Sequence, residues 1–486
     1  MRIIVLSISL FLCLESSAFA IDAKLAQSPE VASGIRMFEA WIDEQMAYRG
    51  LPGVAVGVVY DQNLVWSRGF GYADVDRKTP VRPDTLFRMA SNTKMFTSMA
   101  ILQLRDAGKL HLDEPVSKYL PWFKIKPATE GDPAITIENL LTHGSGLPRE
   151  AATLYWSTFN FPSQAQVQDL IAGQTASFSP DTRFKYSNLA LSLAGYIVEA
   201  VSGEKYADYI DRHIFHPLGM DSSSIGVPGD RMGKLATGYG RRMPDGSRLK
   251  MPFTDCKGID PAAGLSSTVE DMAKFVSLHF RTGPAGGAQI LRGSTLREMQ
   301  RVHLVENNWT RGNGLGMAVW RDHDKVYVGH GGSLAGYKTQ TMIQVEDKVG
   351  VVVLSNGDDA GALRLATRLM SMVGQPVAKA AKPTDAQPLW DPAWSQYQGL
   401  YRSMWGDEQV LETNRALVMI APEADDPQES ITKLIPVGGG VFKMDAKTGG
   451  GAIGELVTFR EENGVMTMTV GTSPSKRVPQ ALTSVR

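Results

Sequence analysis

Ser91 and Lys94 stand three residues apart at the opening of an apolar segment, Met95 to Leu102. On a helix that spacing puts both side chains on one face. A hydroxyl nucleophile and an amine able to take its proton then share one turn. The spacing alone decides little. Ser202/Lys205, Ser247/Lys250, Ser430/Lys433 and Ser473/Lys476 repeat it, and an isolated S-x-x-K reads by default as a capping serine beside a solvated lysine. Context separates the first pair. An apolar helix buries its N-terminus, where free N–H groups and the positive dipole end favour negative charge. By contrast, Ser202 abuts Gly203 at a helix end, Ser247 lies in a polar turn, and Ser430 and Ser473 fall in a β-rich tail.

Two further groups carry chemistry. Tyr186-Ser187-Asn188 is the one Y-x-N in the chain. It offers a phenol that exchanges a proton and an amide that grips a carbonyl, at the entrance of a helix starting near Leu189. Alone, it reads as a cap with a packed tyrosine. His330-Gly331-Gly332-Ser333 precedes a strand starting at Tyr337. Its two glycines permit close backbone approach, and the next N–H along the chain suits an oxyanion donor. Alone, it reads as a Gly-rich turn with a surface histidine.

The elements that must position these groups emerge from pattern. A helix is expected over Val31–Tyr48. A hairpin joins 53–60 to 64–71 through Asp61-Gln62-Asn63, and a second joins 337–345 to 349–355; both are rich in the β-branched residues that sheets favour. Between them lie helices over 91–107, ended by Gly108, and over 189–201. Another is opened by Ser267-Thr268-Val269-Glu270, a capping-box pattern. This predicts an α+β fold: one antiparallel sheet closed by the two ends of the domain and flanked by helices, with a mostly helical inserted subdomain. A Pro/Ala/Lys-rich stretch then reads as a linker. The expected domains are 21–375, a linker at 376–390, and an all-β barrel or sandwich over 391–486.

The first twenty residues read as a signal peptide. They combine a basic Met1-Arg2, an apolar run from Ile3 to Leu14, and Ala18-Phe19-Ala20 as a cleavage site. An exported protein, periplasmic or secreted, with no transmembrane segment is expected. Removing that leader leaves Cys256 as the one cysteine, so no intramolecular disulfide is available. A formal net charge of −1 argues against nucleic acid or an anionic membrane as the main partner.

In their order, Ser91-Asn-Thr-Lys94, Tyr186-Ser-Asn188 and His330-Gly-Gly332 resemble the serine β-lactamase and penicillin-binding-protein superfamily. The likeness is greatest to its class C β-lactamase-like branch, which includes D,D-peptidases, carboxylesterases and D-aminopeptidases. Leu140-Leu-Thr-His-Gly-Ser-Gly-Leu147, Pro217-Leu-Gly-Met220 and Ala263-Gly-Leu-Ser-Ser267 with Asp271 strengthen it. The resemblance covers roughly 35–360 and implies a β-lactamase/transpeptidase-like fold. It also implies a serine hydrolase acting through an acyl-enzyme on an ester, a β-lactam or a D-amino-acid peptide or amide. In that reading Ser91 attacks, Lys94 and Tyr186 move protons, and either can be the dominant base. The N–H groups of Ser91 and Ser333 form an oxyanion hole, while Asn188, His330, Gly331 and Gly332 hold the substrate. The partner is a small-molecule or short-peptide acyl substrate, with no metal and no cofactor; substrate identity and oligomeric state stay open. The alternative is a non-catalytic binder of peptidoglycan-like ligands in the same cleft. His330 departs from the lysine of β-lactamases, which puts strong binding of an anionic substrate group in doubt.

Other candidates are weaker. Lys447-Thr448-Gly449 imitates a third motif but lacks a strand pair after it. Ser333 misses the G-x-S-x-G elbow because Ala335 stands where glycine is needed. His213 and His216 lack the partners of a zinc site. Cys256 reads as a packed residue, and His143 as a structural residue near the site.

Overall fold

The computed structural model describes residues 23–151, 154–283, 287–382, 390–413, 415–422, 431–446 and 452–479. The chain divides into two units, Met1–Ala381 and Lys382–Arg486. The proposed leader, Ser430 and Lys447-Thr448-Gly449 lie outside the described residues.

The strand Gly53–Tyr60 is the hinge of the first unit's architecture. Its residues alternate between two cores, as a period of two demands. Val54, Val56 and Val58 face one core, with Phe38 of the helix Pro29–Arg49 and Leu365 of the helix Ala362–Leu369. Ala55 and Val59 face the other, with Phe96 and Phe275 of the helical insert. The strand therefore reads as a nearly continuous apolar run, because both faces are covered. It pairs antiparallel with Asn63–Asp74 on one side and with Val349–Ser355 on the other. Among the described residues the full sheet has nine strands. Beyond Val349–Ser355 come Tyr337–Gln344 and Lys325–Leu334, and three short strands over 304–322 complete that side. The two ends of the domain thus close one sheet, as the pattern predicted.

Glycines let the helix Val269–Leu278 press on the sheet centre. A Cβ at Gly57 would meet Val269 Cγ1 at 2.5 Å, and one at Gly350 would meet Val276 Cγ1 at 2.5 Å. The rings of Phe96 and Phe275 stack at 4.1 Å, joining this helix to Thr93–Asp106, a contact worth about 1 kcal/mol beyond its burial.

The structure differs from the pattern reading in three places. His330-Gly331-Gly332 is not a turn before a strand pair; it lies inside the strand Lys325–Leu334, hydrogen-bonded along Tyr337–Gln344. Glycine's weak strand preference hid that strand. The cap of Val269–Leu278 is Thr268, whose Oγ1 accepts from Asp271 N at 3.1 Å; Ser267 is a strand residue bonded to Ser223. Residues 375–381, partly inside the stretch read as linker, form a helix with Val377 and Ala378 buried. Those apolar residues fall on the face that meets the helix Pro29–Arg49, which a composition count does not see.

The second unit is a closed eight-stranded barrel, sealed where Gly399–Ser403 pairs with both Gly406–Thr413 and Ser473–Arg477. Tyr401, Phe442, Phe459 and Met468 fill it. Among the described residues, no helix is long and apolar enough to cross a membrane.

Candidate active site

The nucleophile's turn is built by a strained residue. The short strand Phe87–Arg88 ends at Met89, and Ala90 takes φ +48° before a single 3₁₀ turn, Ala90–Asn92, leads into the helix Thr93–Asp106. An alanine in this left-handed region costs roughly 1–2 kcal/mol, and the surroundings hold it there. Thr93 Oγ1 donates to Ala90 O at 2.6 Å and accepts from Leu265 N at 3.0 Å. Asn92 ties the turn to the sheet: its Nδ2 donates to Thr339 Oγ1 at 2.9 Å, and its Oδ1 accepts from Thr341 Oγ1 at 2.8 Å. Ser91 is left half-exposed, its hydroxyl at the floor of a cleft of about 1030 Å³.

Lys94 is fully buried. Its Nζ lies 3.0 Å from Ser91 Oγ, 2.8 Å from Asn188 Oδ1 and 2.8 Å from the Ala262 carbonyl. Burial lowers its pKa from the ordinary lysine value; Tyr186 and Glu150 oppose the shift, and Arg149 adds to it. Tyr186 OH donates to Ser91 Oγ at 2.9 Å. Ser91 Oγ thus has an amine on one side and a phenol on the other.

Tyr186 is held in place through the next residue in the chain. Ser187 caps the helix Asn188–Ser202 by accepting from Ala190 N at 3.0 Å, and its own hydroxyl donates to Pro148 O at 2.7 Å. Ser187 N donates to His143 Nδ1 at 3.2 Å, so His143 carries any proton of its neutral ring on Nε2. The His143 ring packs 4.5 Å from that of Tyr186. Burial first, then Lys94 and His330, keep His143 well below the ordinary histidine value. It is a neutral support for Tyr186, in line with its reading as structural.

The third motif reaches Ser91 by close approach. Ala318–Asp322 pairs only with residues 325–329 of its neighbour, which leaves the edge of 330–334 free of that strand. Gly332 lies against the nucleophile's turn there: a Cβ on it would stand 2.2 Å from Met89 O and 2.1 Å from Thr339 Oγ1. Ser333, next along, lines the cleft with Ser91. His330 Nδ1 lies 2.6 Å from Gly331 O. A carbonyl only accepts, so Nδ1 bears the proton and Nε2 keeps its lone pair. Burial first, then the Lys94 charge, push His330 down to about 3. It lines the cleft as a neutral ring, 6.1 Å from Tyr186. The fixed positive charges lining the cleft are instead Arg149, Lys338 and Arg364.

All eight residues singled out by motif, Ser91, Lys94, Tyr186, Asn188, His330, Gly331, Gly332 and Ser333, come together here. The rival serine–lysine pairs that are described do not form such a site. Ser202 Oγ donates back to Val198 O, Ser247 is bonded to Asp245 while Lys250 pairs with Asp76, and Ser473 and Lys476 are exposed on a barrel strand. His213 pairs with Glu204. Cys256 is buried against Arg88, and burial raises its thiol to about 12.

Motif reading missed Glu150. Its Oε1 accepts from Asn188 Nδ2 at 2.6 Å and from Arg149 Nε at 3.1 Å, and its other oxygen accepts from the Tyr155 hydroxyl. The one sequence signal was an acidic residue in the loop after Gly146-Leu147-Pro148.

A serine flanked by a buried lysine and a tyrosine, on an antiparallel sheet with a helical insert, defines a class of fold and site. A beta-lactamase family profile matches residues 38–371, over half of the chain, and the chain belongs to that family. It is 27% identical over 317 residues to Protein flp of Staphylococcus aureus (strain N315), covering 65% of this chain and 61% of that protein. The chain therefore matches less than two thirds of that relative's length. It is 28% identical over 332 residues to Esterase EstB of Burkholderia gladioli, covering 62% of this chain and 81% of the esterase. In fold it resembles the octameric penicillin-binding protein homologue of Pyrococcus abyssi, with TM-score 0.60 and 24% identity over 91% of this chain and all of the other.

Proposed function

We propose that the protein is a serine hydrolase that works through an acyl-enzyme at Ser91. The observation that carries this is the pair of proton-exchanging groups on one hydroxyl, Lys94 Nζ at 3.0 Å and Tyr186 OH at 2.9 Å from Ser91 Oγ. Ser91 Oγ attacks a substrate carbonyl while its proton passes to neutral Lys94. The carbonyl π pair moves onto oxygen, which the N–H groups of Ser91 and Ser333 receive; one such donor is worth about 3 kcal/mol. Tyr186 relays the proton to the leaving group, and water then releases the acyl group by the same path reversed. Asn188 holds the substrate, and His330 completes the proton network or meets a substrate oxygen.

The substrate class is an ester, a β-lactam or a D-amino-acid peptide or amide. The esterase relative favours the first. A neutral His330 supplies no fixed charge for a carboxylate at the third motif itself, so an anionic substrate group would have to meet Arg149, Lys338 or Arg364 elsewhere in the cleft. A fluorophosphonate probe and a chromogenic short-chain ester test the reading: both should react with the wild type and neither with Ser91→Ala. If Ser91 stays unlabelled while the cleft binds peptidoglycan fragments, the protein is a binder and the proposal fails. A kcat/KM panel of esters, a cephalosporin and a D-Ala-D-Ala peptide then ranks the substrates.

A further inference from the structure

We infer that Glu150 is a positioning residue that aims the lone pair of Lys94 at Ser91 by fixing the orientation of the Asn188 amide. This rests on the serine-hydrolase reading and deepens it.

Donors and acceptors around Lys94 can be assigned one by one. A carboxylate only accepts, so the Asn188 atom 2.6 Å from Glu150 Oε1 must be its NH₂ group. Asn188 Oδ1 is then turned toward Lys94, 2.8 Å away. The Ala262 carbonyl, also 2.8 Å from Nζ, is likewise acceptor only. A neutral amine has two N–H bonds and one lone pair. Both N–H bonds are taken by Asn188 Oδ1 and Ala262 O, and of the two hydroxyls left to Nζ, that of Tyr186 gives its proton to Ser91 Oγ, which itself stands 3.0 Å from Nζ. The lone pair therefore faces the Ser91 hydroxyl. In the acylation step the Ser91 O–H bond breaks, an N–H bond forms on Lys94, and the freed oxygen pair bonds the substrate carbonyl carbon.

Without Glu150 the Asn188 amide is free to rotate by half a turn. Its NH₂ would then donate to Nζ, and the lone pair would be spent on Asn188 rather than on Ser91. Glu150 is itself well held. The Tyr155 hydroxyl and Arg149 Nε donate to it, and Tyr155 is buried among Trp156 and Phe161. Burial and the Glu150 carboxylate raise the Tyr155 pKa, so that hydroxyl stays a donor.

Glu150 also places a negative charge near the base. The other titratable groups around Lys94 are Tyr186, Arg149, and the two histidines His143 and His330, both held neutral. Removing the Glu150 charge leaves Lys94 easier to deprotonate. The acid limb of activity then moves to lower pH.

A double-mutant cycle tests this. The rate of Ser91 phosphonylation by a fluorophosphonate and of its acylation by a chromogenic ester is measured for wild type, Glu150→Ala, Asn188→Ala and the double variant, with the folded fraction read from near-ultraviolet circular dichroism. On the plateau above the acid limb, where Lys94 is neutral in every variant, Glu150→Ala should slow acylation about tenfold or more, and should add nothing in the Asn188→Ala background, because there it acts only through that amide. Glu150→Gln can keep Asn188 oriented through its own carbonyl. It should lose less rate than Glu150→Ala and still shift the acid limb downward. Additive losses in the cycle, or folded Glu150 variants with wild-type rate and limb, overturn the inference. A wild type that no acylating reagent labels overturns the hydrolase reading instead.

Discussion

Replacing Gly332 by alanine should cost catalysis far more than replacing its neighbour Gly331. Neither glycine has a positive φ, so backbone strain does not separate them. Space does. The new Cβ at 332 would sit 2.2 Å from Met89 O and 2.1 Å from Thr339 Oγ1, where ordinary contact begins at 3.4 Å. Met89 O is main chain, anchored by Thr339 Oγ1 at 3.0 Å and Asn92 Nδ2 at 3.3 Å, and it lies two residues from the nucleophile. Relief requires the strand and the Ser91 turn to part by about 1 Å. A misplacement of that size can cost about a hundredfold in rate, and overpacking adds roughly 1–3 kcal/mol of instability. At Gly331 the nearest atom is Gln340 Oε1 at 2.9 Å, the tip of a flexible side chain. Gly331→Ala should therefore stay within a fewfold of wild type. The assay is kcat/KM for a chromogenic ester beside a thermal melt. Equal, small effects of the two substitutions would refute the idea that close approach to Met89 sets the site.

Three further outcomes can be tied to named groups. The kcat/KM profile should have an acid limb below the ordinary lysine range, because the reaction needs neutral Lys94 and burial lowers its pKa. Activity is present above that pKa and is lost as pH falls through it. The limb should persist in His330→Gln, since His330 is held neutral down to about 3; loss of the limb would transfer it to the imidazole. His279 is buried beside Gln300 and lowered to about 4 by burial. Its contribution to stability is present above the unfolded value near 6.5 and is lost as pH falls from there through about 4. His279→Gln should flatten the pH dependence of Tm in that window; an unchanged slope counts against a neutral buried ring. Cys256 should resist alkylation by iodoacetamide in the native protein at about pH 8 and react once unfolded, because its thiol is buried and raised to about 12. Rapid native labelling would show that the pocket around Arg88 opens.

The sequence disclosed the chemistry better than the means of holding it. Ser91, Lys94, Tyr186 and Asn188 were legible because their types and spacings suit proton transfer, and because each pair opens an apolar helix. The outer strands of the sheet over 304–322 were not. They are short and polar, and their pairing is decided by neighbours rather than by a local pattern. Ala90 gave no sign of its φ, since nothing in alanine favours a left-handed turn; the Thr93 and Asn92 contacts impose it. Glu150 stayed hidden for a related reason. It lies 38 positions from Asn188 in sequence, and an acidic loop residue reads as solvated until the fold encloses it.

The pairing of Gly53–Tyr60 with Val349–Ser355 also governs how the chain comes to fold. Ser355 Oγ donates to Gly53 O across 302 positions. Closing a loop of that length costs on the order of 5 kcal/mol in chain entropy, so the centre of the sheet is a late, non-local event. At roughly 5–20 residues per second, synthesis leaves the first strand waiting roughly 15–60 seconds for its second neighbour. During that time Gly-Val-Ala-Val-Gly-Val-Val-Tyr offers one open edge, apolar, uncharged and without proline, the kind of segment that pairs with other chains. A nascent chain of this protein is therefore most exposed to aggregation between the emergence of Tyr60 and that of Ser355.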